Sequence, residues 1–123
     1  MELELSKLPK TWILDLDGTI VKHNGYIIDG KDSMLPNAWK ILSQINDNDM
    51  VIIVTSREKR YKSITERFLE ENNVRYDCII YDAPYGERIL VNDNKPSGLK
   101  MAYALNLNRN ECVDIDFRIN ELL

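Results

Sequence analysis

The chain is sparing with the residues that cross-link or punctuate a fold: among 123 residues there are two cysteines, one histidine, five glycines and four prolines. Cys78 and Cys112 form no Cys-x-x-Cys pattern, so no paired redox or metal motif is expected, and such cysteine usage fits a reducing cytoplasm. Cys78 lies in an apolar run and reads as a small buried hydrophobe. No stretch approaches the length needed to span a bilayer, and residues 1–10 carry no long apolar core, so neither a membrane span nor a signal peptide is expected. Excess positive charge is missing too. The net charge of −4 argues against a nucleic-acid-binding surface, which usually shows a basic stripe. Arg57, Lys59, Arg60 and Lys62 do cluster, as the solvated start of a helix would.

What is present is ordinary globular material, 44% hydrophobic and 29% charged, in a length that suits one domain over residues 1–123. Strands and helices are expected to alternate. Residues 12–16 form the first strand, and residues 18–28 a short hairpin or flap containing Gly25 and the β-prone Tyr26, Ile27 and Ile28. Residues 29–32, Asp-Gly-Lys-Asp, are turn chemistry. Pro36 suits the first position of a helix reaching Asn46, with Ala38, Ile41, Leu42 and Ile45 on one face. The continuous apolar run 50–54 reads as a central parallel strand covered on both sides. Helix 59–71 follows, pointing Ile64, Phe68 and Leu69 inward, then strands at 77–81 and 88–91 and a helix at 96–105. The tail 112–123 is either a short strand or an irregular cover. This order predicts an α/β fold: a three-layer, Rossmann-like parallel sheet with helices on both faces, a flap after the first strand and right-handed crossovers.

Ligands of such sheets bind beyond the carboxyl ends of the strands. Asp15 and Asp17 follow the first strand, Thr55 and Ser56 the second, and Asp93 the fourth. Carboxylates at the end of an apolar run are costly unless a cation or dense hydrogen bonding compensates. Mg²⁺, which takes hard oxygen ligands and leaves room for phosphate oxygens, would compensate here. A calcium loop is the competing reading of Asp15-Leu16-Asp17-Gly18, but Thr19 and Tyr26 stand where that loop needs acids. Thr55 could instead cap the following helix, and Asp93 could be a turn residue.

Asp15-Leu16-Asp17-Gly18-Thr19 after an apolar strand, Val51-Ile52-Ile53-Val54-Thr55-Ser56-Arg57, and Ile89-Leu90-Val91-Asn92-Asp93-Asn94-Lys95-Pro96 resemble, in that order, the haloacid dehalogenase-like hydrolases. The likeness spans residues 12–105. It implies a Mg²⁺-dependent phosphomonoester hydrolase in which Asp15 is the nucleophile that forms an aspartyl-phosphate. Asp17 would be the general acid and base, and the metal would be held by an Asp15 oxygen, the Asp17 main-chain carbonyl and Asp93. Thr55, with Leu16, Gly18, Ser56 and Arg57 around it, would bind the phosphoryl group. The lysine such enzymes carry before their last acidic motif has no helix to sit on. Lys95 is the best substitute and Arg88 and Lys59 poorer ones, and Asn92 and Asn94 stand where a second acid is usual.

Neither interval between the motifs can house a cap domain, so the site should be open unless a second copy covers it; a homo-oligomer would then place Tyr26, Tyr81 or Tyr85 at the interface. His23, in the flap, reads as a solvated loop residue or a substrate contact. The expected substrate is a small phosphorylated metabolite such as a sugar phosphate, in surface-polysaccharide assembly. The alternatives are a phosphate at a macromolecular end, on protein or polynucleotide, and a non-catalytic phosphate-binding module.

Overall fold

Hydrophobic burial organises the chain around one three-stranded parallel sheet. The computed structural model describes all 123 residues. β1 (Glu2–Leu5) and β2 (Thr11–Leu14) lead to two short helices, α1 (Gly25–Ile28) and α2 (Ala38–Leu42). β3 (Met50–Val54), a 3₁₀ turn (Lys59–Tyr61), α3 (Lys62–Glu71), β4 (Cys78–Ile80) and β5 (Asp116–Ile119) complete the order. β3 is central: Ile13 pairs with Ile52 and Leu14 with Ile53 on one side, Ile53 with Ile79 on the other, all parallel. No helix is long and apolar enough to cross a membrane.

Alternation along the strands then fixes two faces. Leu14, Val51 and Ile53 point into the core, where Ile20, Val21 and Leu35, the α2 residues Ala38, Ile41 and Leu42, and Leu69 of α3 meet them. Burial of this cluster supplies the main folding drive, at roughly 1.5–3 kcal/mol per large side chain. Ile13, Met50, Cys78 and Ile80 alternate to the opposite face and are exposed. Cys78 is therefore not the buried hydrophobe expected; Cys112 is the buried cysteine.

The remaining strands form a separate parallel sheet, β1 with β5, in place of the single sheet expected. β1 goes unread in sequence because its Glu-Leu-Glu-Leu alternation offers only two apolar residues. Trp12 meets Phe117 edge to face at 4.9 Å, joining the sheets. Gln44 adds to the joint by accepting the Phe117 N–H (2.8 Å) and donating to the Ile115 carbonyl (2.6 Å).

Further expectations are corrected as well. Residues 25–28 form a single helical turn rather than a β flap, and only isolated bridges, Asp17 to Val21 and Val21 to Met34, pair this loop. The 88–91 strand is absent: an apolar run becomes a strand only with an edge to pair, and Ile89 and Val91 stay exposed. The 96–105 helix is absent because Gly98 adopts φ 95° and closes a turn, its N–H donating to the Lys95 carbonyl while the Lys95 N–H donates to Leu99. With that helix missing, layers on both sides of the sheet are not completed. On α3, Thr65 and Leu69 are the buried residues, and Ile64 turns outward.

Candidate active site

β2 ends at Leu14, and the next residues coil around the Leu16 carbonyl, which accepts the N–H groups of Thr19, Ile20 and Val21. Gly18 makes the sharp turn at φ 84°, its N–H donating to the Val21 carbonyl. A side chain there would press against Arg109, whose Cγ lies 3.1 Å from the Cβ position. The Gly18 carbonyl accepts the Asn110 N–H, and the Asn110 side chain accepts the N–H of His23. His23 is thus fixed by its backbone to the 108–111 turn.

This coil leaves Asp15 and Asp17 at the strand end in different surroundings. The Asp15 carboxylate is accessible, with 39% of the side chain exposed. Its Oδ2 accepts from the Thr19 hydroxyl at 2.9 Å and its Oδ1 from Arg88 Nη1 at 2.8 Å. Asp17 is turned inward onto Arg57, whose Nη2 and Nε donate to its two oxygens at 2.7 and 3.3 Å. One acid is presented and the other is held.

Arg57 carries the most complete set of contacts in the site. Its guanidinium is fully buried, and all five of its N–H groups have acceptors. Besides Asp17, Nη1 and Nη2 grip the two oxygens of buried Asp32 at 2.9 and 3.0 Å, and Nη1 also donates to the Thr65 hydroxyl at 2.8 Å. Tyr26 stacks on the guanidinium face, 3.8 Å from ring centre to Cζ. Burial works to lower the Arg57 pKa, but the hydrogen bonds and charges of Asp32 and Asp17 outweigh it and raise the pKa above its ordinary value. The same burial raises the Tyr26 hydroxyl pKa, against the pull of the Arg57 charge.

Thr55 follows β3 and is buried; its hydroxyl oxygen accepts the Arg57 N–H at 3.0 Å, and its own N–H donates to the Ile80 carbonyl. Here it links the strand end to Arg57. Ser56 donates to the Pro84 carbonyl at 3.2 Å. Leu16 is buried and lends only its carbonyl. Asp17, Arg57 and Thr55 are thus joined by hydrogen bonds, with Gly18 next in the chain and Asp15 two residues before Asp17 on its own partners, Thr19 and Arg88, whereas Lys95 and Asp93 lie on the exposed irregular segment after Arg88. The cation that reaches Asp15 is Arg88, ranked below Lys95 in sequence.

Asp32 is the functional candidate that sequence reading misses, since Asp-Gly-Lys-Asp reads as a turn. A signal for it exists in α3, where Thr65 interrupts the apolar face and so marks a polar partner beneath.

The Asp15 carboxylate and the Asp17 main-chain carbonyl are hard oxygen donors suited to a divalent cation, but as arranged the side chains around them do not complete an ion site. No group of three or more His, Cys, Asp or Glu side chains is close enough to hold a metal, and arginines meet both charges. Two surface hollows of about 310 and 220 Å³ lie elsewhere, the first beside Lys7 and Asp49, the second beside Trp39 and Arg75. The acids sit at an open strand-end rim.

No protein-family model matches the chain, and no curated protein matches it. Among solved structures it is similar to a chain of the Pnkp1/Rnl/Hen1 complex, with 29% identity and a TM-score of 0.53. That match covers 68% of this chain and 31% of the other, so this chain spans about a third of its structural neighbour. The shared feature is an α/β fold.

Proposed function

We propose that the chain is a phosphomonoester hydrolase of haloacid dehalogenase-like type that works through an aspartyl-phosphate on Asp15. The observation that carries this reading is the division of labour between two acids at one strand end: Asp15 accessible, Asp17 clamped beside it. In the first half-reaction an Asp15 oxygen attacks phosphorus, the P–O bond to the leaving group breaks, and Asp17 gives the departing oxygen its proton. In the second, water attacks the aspartyl-phosphate, Asp17 takes the water's proton, and phosphate and free Asp15 are released. Thr19 orients the nucleophile. Arg88 offsets the repulsion between an anionic nucleophile and an anionic phosphate.

Magnesium dependence is proposed on the two-acid motif alone: an Asp15 oxygen and the Asp17 main-chain carbonyl would hold the ion, and Asp93, which stands in no metal-ligating cluster with them, would have to be carried to the rim by the irregular segment after Arg88; the ion would neutralise charge on the phosphoryl oxygens. Asp93 is five residues beyond Arg88, so roughly 17 Å of extended chain at most separates it from the residue that touches Asp15.

For the substrate, a phosphate at a polynucleotide end is favoured over a sugar phosphate by one observation. The structural neighbour belongs to a complex with a polynucleotide kinase-phosphatase. An open rim without a cap admits such a bulky substrate, while the net charge of −4 favours contact at the end over broad backbone binding. Purified protein with Mg²⁺ is offered phosphate-ended oligonucleotides, a panel of sugar phosphates and an aryl phosphate. Phosphate release that vanishes in Asp15→Asn, with the fold intact, supports the reading. Undiminished release in that variant removes the covalent mechanism, and no release from any ester favours a phosphate-binding module.

A further inference from the structure

The Asp17 carboxylate is held from behind by groups that no substrate would touch. Arg57 has no freedom of its own, because its donors are divided among three acceptors and Tyr26 covers its face. Two of those acceptors, Asp32 and Thr65, come from separate parts of the chain, the loop before α2 and the buried face of α3. A guanidinium fixed in plane by two bidentate carboxylates and a hydroxyl transmits that plane to whichever carboxylate faces the site.

We propose that Asp32 and Thr65 are positioning residues that act through Arg57 to hold the Asp17 carboxylate in line with the leaving-group oxygen. This rests on the phosphatase reading above. Asp32 fixes the guanidinium edge opposite Asp17, and Thr65 fixes the turn of its plane about the Cδ–Nε bond. Neither touches the reacting atoms. Loss of either lets Arg57 tilt, and Asp17 tilts with it.

The test separates positioning from mere support by varying the leaving group. An aryl phosphate with an acidic phenol departs without a proton, whereas an alkyl phosphate needs one from Asp17. Thr65→Val keeps the volume of the side chain and removes the acceptor, so it guards against the unfolding that Asp32→Asn risks. Both variants are expected to lower kcat on the alkyl phosphate on the order of tenfold more than on the aryl phosphate, part of the roughly 10²–10⁴ that a placed general acid contributes. KM should stay level, and Thr65→Ser, which restores the hydroxyl, should recover the alkyl rate. Equal losses on both esters, no loss, or no recovery in Thr65→Ser while wild-type turnover is normal overturns the positioning role alone. Absence of wild-type turnover on both esters overturns the hydrolase reading and this role with it.

Discussion

Arg88 Nη1 lies 2.8 Å from Asp15 Oδ1 across 73 residues of sequence, and both side chains are 39% exposed. At that exposure an ion pair contributes only about 0–1 kcal/mol to stability. Its importance is therefore electrostatic and local to the carboxylate. Arg88→Ala should leave the thermal midpoint nearly unchanged while lowering kcat/KM on phosphate esters about 10²-fold, the scale of losing one donor to a developing anion. Arg88→Lys should recover part of it. Steady-state kinetics beside a thermal melt decides the point, and a stability loss matching the activity loss would remove the functional role.

Arg57 should behave in the opposite way. Replacing it with Met leaves Asp17 and Asp32 facing each other with no counter-ion, a change that costs about 3–5 kcal/mol when a buried pair is broken. Arg57→Lys should also destabilise, since three donors cannot serve the acceptors that five now satisfy. Urea unfolding at neutral pH measures both.

Why Asp15 and Asp17 are legible in the sequence, while Asp32 is not and Arg88 ranks below Lys95, follows from how each is positioned. The acids sit at the end of an apolar run, and β3, the buried face of α2 and the body of α3 announce themselves by unbroken apolar residues or helical spacing. Arg88 and Asp32 are placed by partners far along the chain, and no local pattern encodes that. Residues 88–91 have the propensity of a strand but find no pairing edge. Residues 96–105 have apolar spacing for a helix, which the turn at Gly98 overrides.

Acid stability should depend on Asp49. Burial pushes its carboxyl pKa upward, but the Trp12 indole N–H and the backbone N–H groups of Lys10 and Asn46 hold it below the ordinary value. A folded pKa below the unfolded one contributes stability that is present above the unfolded pKa of about 3.9 and is lost as pH falls through the folded value. Asp49→Asn should therefore cost about 1–3 kcal/mol near neutrality. The gap from wild type should narrow below pH 4, as read from urea midpoints across pH 7 to 3.

The turn after Asp17 tolerates no side chain. Gly18→Ala must carry a Cβ at φ 84°, which costs roughly 1–2 kcal/mol, and must also push against Arg109. A lowered thermal midpoint together with lowered turnover is expected. Arg109→Ala in the same chain should relieve the contact but not the backbone strain, so recovery should be partial.

The pairing of β1 with β5 has a kinetic corollary. Glu2 aligns with Asp116, so this ladder closes a loop containing almost the entire polypeptide, whereas β2, β3 and β4 zip together over much shorter separations. Closing the longer loop carries the greater entropic cost, and it rewards the chain with four residue pairs, no more than the β2–β3 ladder gains. The central sheet should therefore assemble first and the outer ladder last. In native-state hydrogen exchange, the amides of β1 and β5 should open at lower free energy than those of β3.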